Sequence, residues 1–142
     1  MTLLVLEVVN KRANAYDSEA QVIAGAVVAF QSNNKRRRYL GLNPLDAMTI
    51  PCITMTGTRP DFYLVPVTTA LNDAVITGQL PATQTEVLHC PTEVAHTGGV
   101  SVGMENTEYR KVALQHLLAF KELAKNYWAQ ILEGVEVTFS LP

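Results

Sequence analysis

The stretch 106-NTEYRKVALQHLLAFKELAKNYWAQILEG-134 is the only long segment of this chain with helical periodicity, and the fold turns on how its apolar side is covered. At ~100° per residue, Ala113, Leu117, Phe120, Ala124, Tyr127, Trp128 and Ile131 gather on one face. Leu114, Leu118 and Leu132 widen one flank, and Val112 and Leu123 the other. Lys111, Gln115, Glu122, Asn126 and Glu133 lie opposite. Asn106 is placed to cap the start, Glu108 suits the positive end of the dipole, and Gly134 is a natural stop. The apolar arc is wider than a helix needs against one small sheet. Either the helix is clamped between its own sheet and something else, or it breaks near residues 121–125 into two helices that pack on a partner chain. The second reading is favoured.

Composition narrows the rest. A chain of 142 residues accommodates one domain with a real core, with strands expected over residues 2–104, helix over 106–133 and a tail over 135–142. Its residues are 48% hydrophobic and only 17% charged, a balance that favours covering surface with further copies of the chain. The net charge of −2 excludes a wholly basic nucleic-acid binder, yet Lys35, Arg36, Arg37 and Arg38 supply four of the 11 Lys and Arg residues. Two cysteines, Cys52 and Cys90, make no disulfide framework. Residues 2–9 are too short and lack the basic lead-in of a signal peptide, and no run reaches transmembrane length. A protein made in a reducing cytoplasm and not held in a membrane is expected.

Between these landmarks the chain reads mainly as strands. Residues 2–9 (TLLVLEVV) are β-branched and aliphatic, and 10–18 read as a turn. Residues 21–31 (QVIAGAVVAFQ) are ambiguous, but Gly25 and the β-branched residues favour strand. Residues 32–35 (SNNK) have turn chemistry, and 36–42 (RRRYLGL) resume an extended run. In 48–56 (MTIPCITMT), Ile53 and Met55 share one face while Cys52, Thr54 and Thr56 share the other, with a bend or start expected at Pro51. Residues 62–68 (FYLVPVT) and 84–90 (QTEVLHC) read as strands, and 100–103 as a last short one. Residues 69–83 show neither period and read as a long loop. Residues 135–141 (VEVTFSL) suit a terminal strand or an extended arm. Strands grouped ahead of helix indicate an α+β fold, an N-terminal β-hairpin and antiparallel sheet with helix on one face. The other face, with Thr54, Thr56 and Arg59, is polar but sparsely charged.

The search for chemistry finds little. His89, Cys90 and His96 match no zinc spacing, and adjacent His89 and Cys90 point to opposite faces of a strand. No paired carboxylates, nucleotide-binding glycine motif or nucleophile constellation is present, so the reading is non-enzymatic, with no metal and no cofactor. The basic run is more informative. Arginine forks match phosphate oxygens, and Tyr39 beside them offers a ring on which unpaired bases stack.

Several stretches resemble the coat proteins of single-stranded RNA bacteriophages. Residues 27–39 (VVAFQSNNKRRRY) are similar to that family's strand, SSN-type turn and basic, aromatic strand. Residues 62–66 (FYLVP), followed by a polar loop closing on 78–81 (GQLP), resemble its strand and GxxLP-type loop. Residues 106–118 look like the start of its first helix, and 127–135 like its short second helix. The resemblance covers roughly residues 20–135. It implies a homodimer whose helices, through Leu117, Phe120, Tyr127, Trp128 and Ile131, cross the partner's sheet. It further implies an icosahedral shell around single-stranded genomic RNA, a virion protein made in the bacterial host cytoplasm, and repression of translation through a bound RNA hairpin. The implied RNA face comprises Lys35, Arg36, Arg37, Arg38, Tyr39, Thr54, Thr56 and Arg59. The alternative reading is a small RNA- or nucleotide-binding regulator without a shell, and a small enzyme using His89, Cys90 or His96 stands behind both.

Overall fold

Residues 15–39, expected to be the end of a turn, a strand, a second turn and the start of another strand, form a single helix. The computed structural model describes residues 1–9, 15–92 and 103–135. In it the chain runs β1 (Val5–Val9), α1 (Ala15–Tyr39), β2 (Ala47–Thr56), β3 (Arg59–Thr68), α2 (Thr69–Thr77), β4 (Leu88–Pro91) and α3 (Thr107–Leu132). Along α1, Val22, Ala26, Ala29, Phe30, Asn33 and Arg37 are all buried, a single stripe at helical spacing. Two of the six are polar, which breaks the apolar signal that identifies a helix in sequence. Gly25 is there for room: a Cβ at that position would lie 2.9 Å from Val5 Cγ1 on the strand beneath.

The sheet is mixed, in the order β1-β2-β3-β4. β1 is parallel to β2, and the remaining pairs are antiparallel. The expected N-terminal hairpin and wholly antiparallel sheet are therefore corrected. A 25-residue helix, ~37 Å long at 1.5 Å per residue, carries the chain back to the end from which β1 started, so the next strand is parallel. Pro51 does not start β2, which begins at Ala47 and pairs with β3 without a break through Pro51. β1 pairs only with Cys52 to Thr56, so Pro51 sits just before the stretch where that pairing begins.

Both faces of the sheet carry a helix. Val5, Met48, Ile50, Cys52, Tyr63, Val65 and Val67 pack with α1, and Ile53, Phe62 and Leu64 pack with Phe120 of α3. The expectation of one open polar face is thus overturned. The architecture is nonetheless α+β with the long helix at the C-terminal side. α3 is continuous through 121–125, where a break was expected. Lys121, Glu122, Leu123, Ala124 and Lys125 all favour helix, Glu122 and Lys125 pair at 2.7 Å, and Ala124 is buried. Asn106 caps its start by accepting from the Tyr109 N–H, and Gly134 (φ 78°) follows its end.

Residues 69–83 divide into α2, capped by Thr68 and stopped by left-handed Gly78, and an exposed loop after it. The strand expected at 84–90 is shortened to β4. His96, the strand expected at 100–103 apart from Gly103, and the tail from 136 lie outside the described residues.

Candidate nucleic-acid interface

The basic run sits on the last turn of α1, and the structure divides it into one buried arginine and three exposed cations. Arg37 is 6% exposed. Its Nε donates to Asn43 O at 2.8 Å, and its Nη1 donates to Ile131 O at 3.1 Å and Glu133 O at 2.9 Å. It therefore caps the carbonyls at the end of α3, where a cation also opposes the negative end of the helix dipole. This commits Arg37 to holding two helix ends together and takes it out of the expected RNA set.

Lys35, Arg36 and Arg38 point the other way, into solvent, and Tyr39 is 80% exposed. The Arg36 guanidinium lies 5.2 Å from the centroid of the Tyr39 ring. Among the described residues no carboxylate pairs with any of the three cations. The platform beneath them is firmly tied. Gly41 (φ 75°) closes the helix, with Leu42 N–H donating to Arg37 O and Gly41 N–H to Arg38 O. Asn33 exchanges hydrogen bonds with both backbone groups of Thr2, and Asn34 with both backbone groups of Leu45. The SNNK segment is thus helix, and its asparagines bond to neighbouring backbone in the manner of a strand.

The strand residues expected to join this face do not reach it. Thr54, Thr56 and Arg59 stand at the far end of β2 and β3, ~23–30 Å along the strands from residue 47 at ~3.3 Å per residue. Thr54 is buried under α1 and bonds to Tyr63, whose hydroxyl pKa burial raises first and neighbouring Asp61 second. Arg59 lies beside the Tyr109 hydroxyl, which burial also pushes up while the guanidinium pulls it down. Of the five expected partner-facing residues, Phe120 and Ile131 are buried in the chain's own core. Leu117 and Tyr127 pack against the same sheet, and Trp128 Nε1 donates to Leu3 O.

Sequence reasoning missed three features. His89 stacks on Tyr63 with centroids 4.3 Å apart and its Nε2 lies 3.7 Å from Asp61, a pairing visible only once β3 and β4 are in register. A cleft of about 640 Å³ opens between the exposed loop that follows α2 and the sheet, with Thr49, Leu64, Pro66 and Tyr127 among its walls. Along β1, Leu6 and Val8 are 57% and 79% exposed, an outcome that alternation alone does not distinguish from burial. Cys52 is buried, and desolvation, with Glu7 adding to it, pushes its thiol up to about 12, which disfavours the reactive thiolate. Comparison of the chain with family models, curated proteins and solved structures finds no match.

Proposed function

We propose that this chain is a non-enzymatic RNA-binding protein that grips the backbone of single-stranded RNA at the end of α1. Lys35, Arg36 and Arg38 contact phosphates, and Tyr39, with Arg36 against its ring, offers a stacking surface for an unpaired base. The observation that supports this most is the split of the basic run. One arginine anchors the helix end, and its three neighbours, which pair with no carboxylate among the described residues, stand on that anchored platform with the exposed Tyr39 ring against Arg36. A solvated charge run on a loose loop would need neither the anchor nor the ring.

The test is RNA affinity as a function of salt, measured with a labelled single-stranded oligonucleotide. Replacing Lys35, Arg36 and Arg38 together by Ser, with Arg37 kept, should weaken binding and flatten the salt slope by about 2, the ~0.7 per phosphate expected for three contacts on a single strand. An unchanged slope would overturn the reading.

The coat-protein reading contains this step and adds self-assembly. Its support is now narrower, because residues 27–39, which carried much of the resemblance, are helix. What still favours it is the flank of α3, where Leu114, Leu118 and Leu123 remain exposed and offer a partner an apolar strip. Closed particles containing RNA, seen by electron microscopy of the expressed protein, would favour the shell. RNA-binding monomers would favour the smaller binder.

A further inference from the structure

β1 is an outer strand of the sheet, and α3 packs on β2 and β3 beside it. Leu6 pairs with Ile53 on the α3 side, and Leu4, Leu6 and Val8 of that side remain largely exposed, while Val5 and Val9 are buried. An apolar groove of about 470 Å³ continues this bare face from Leu4 and Ile53 to Leu114, Leu118 and Trp128 of α3.

The edge of β1 is open in its backbone as well. Pro51, Pro60 and Pro66 all fall in pairs of one parity along the β2–β3 ladder. Proline has no N–H to give, so these are the non-hydrogen-bonded pairs. Ile53 belongs to the same set and therefore turns its N–H and C=O toward β1, where they meet Val5 and Glu7, the neighbours of its partner Leu6. Leu6 and Val8 in turn direct their own groups outward. Among the described residues no strand takes them up. Outer strands are commonly blunted by Lys, Pro or a bulge, and β1, reading VLEVV in unbroken register, has none of these.

We infer that this edge is an interface between two copies of the chain. β1 pairs antiparallel with its counterpart about a two-fold axis at Leu6, and two four-stranded sheets become one of eight strands. Register favours a second copy. The outward-facing residues are 4, 6 and 8, and an axis at Leu6 sets Leu6 opposite Leu6 and Leu4 opposite Val8, aliphatic against aliphatic throughout. An axis at Glu7 would oppose two carboxylates and lose the pairing of Leu4. Leu114 and Leu118, one turn apart on the groove side of α3, then cover side chains of both strands.

Area and closure agree with this. The exposed parts of Leu4, Leu6, Val8, Leu114 and Leu118 come to roughly 550 Å² per copy, so roughly 1,100 Å² for two, which clears the ~1,000 Å² that a specific interface needs. A two-fold pair uses each β1 edge once and so closes. The edges left outermost are β4, only four residues long and ending in Pro91, which makes a poor template for further strands. This surface differs from the one that the coat-protein resemblance implies, whose Phe120 and Ile131 are buried within the chain. Nor does the inference rest on the RNA reading, since β1 and its groove share no residue with the basic end of α1.

The experiment is sedimentation of the full chain over about 1–100 μM, joined to disulfide trapping in a Cys90→Ser background, where the remaining Cys52 is buried. A dimer is expected from roughly 10 μM upward, the strength of a small specific interface. Val8→Lys, at a position exposed within one chain, should raise the concentration needed for dimer at least about tenfold and leave the circular dichroism of the fold unchanged. Leu6→Cys should form a disulfide-linked dimer on mild oxidation, because hydrogen-bonded antiparallel partners lie ~5.5 Å apart at Cα, within a disulfide's span. Leu4→Cys or Val8→Cys alone should link at least about tenfold more slowly, with like positions ~13 Å apart, and mixing those two variants should restore linkage. Monomers at every concentration would overturn the inference and leave the edge to a strand of another protein. A dimer indifferent to Val8→Lys, or one that links as readily at position 4 or 8 alone as at 6, would overturn it equally.

Discussion

α1 and α3 are nearly the same length, 25 and 26 residues, and they lie on opposite faces of one sheet, yet they are covered very differently. α1 has a weak amphipathic pattern, interrupted by Gly25, Asn33 and Arg37, and contributes a continuous buried stripe to the larger core. α3 has the clear pattern and buries Tyr109, Ala113, Phe120, Ala124 and Ile131, but it leaves Leu114, Leu118 and Leu123 exposed. The difference teaches that regular spacing of apolar residues reports the shape of a helix and not the extent of its burial. A helix packed closely on a sheet can trade apolar side chains for small residues and internally bonded polar ones, and its sequence signal fades as a result.

The largest expected effect tests that contrast directly. Phe30, 3% exposed on α1, fills the main core, and Phe30→Ala should cost about 3–5 kcal/mol in urea unfolding. Leu123, on the exposed flank of α3, should cost about 0.5–1 kcal/mol when changed to Ala. Equal losses would mean that the α3 flank is covered after all, as a partner chain would cover it.

The same contrast explains what could be read from sequence. α3, its Asn106 cap, its Gly134 stop, and the strands at 48–56 and 62–68 were legible because each element's period matches the pattern of faces it presents. α1 was not, because Gly25 and the β-branched Val22, Ile23, Val27 and Val28 carry the local preferences of a strand. Their helical state is imposed by the tertiary contact with β1 and β2. The basic run was legible as a site, but its inward member was not. Four adjacent cations look alike until a second helix end, 94 residues further on, takes up one of them. Grouping Thr54, Thr56 and Arg59 with that run failed because the run lies beside the start of β2 and those residues at its finish.

Arg37 and Arg36 form the sharpest neighbouring pair. Arg37→Met removes a buried cation and leaves the carbonyls of Asn43, Ile131 and Glu133 without their donor, with an expected loss of about 3 kcal/mol in thermal or urea unfolding. Arg36→Met, one residue away on the exposed side, should stay within about 0.5 kcal/mol of the unchanged protein. RNA affinity should move in the opposite sense, falling for Arg36→Met and remaining with whatever fraction of Arg37→Met is folded. Comparable destabilisation in the two variants would place both arginines in the same environment and remove the anchor on which the interface rests.

The smallest effect is the one whose sign has to be decided by competition. Gly25→Ala gains ~1 kcal/mol of helix propensity, which in an exposed helix would stabilise the protein. Here the added methyl would come within 2.9 Å of Val5 Cγ1 and 3.3 Å of Glu7 Oε1. Val5 is buried and β-branched, so it cannot swing aside, and overpacking of this kind costs ~1–3 kcal/mol. The contact should outweigh the propensity, giving a net loss of about 1 kcal/mol. Val5→Ala clears the space, so in a double-mutant cycle on that background Gly25→Ala should become neutral or stabilising. If Gly25→Ala stabilises the protein even with Val5 intact, α1 does not approach β1 this closely, and close packing cannot be the reason its helical signal is weak.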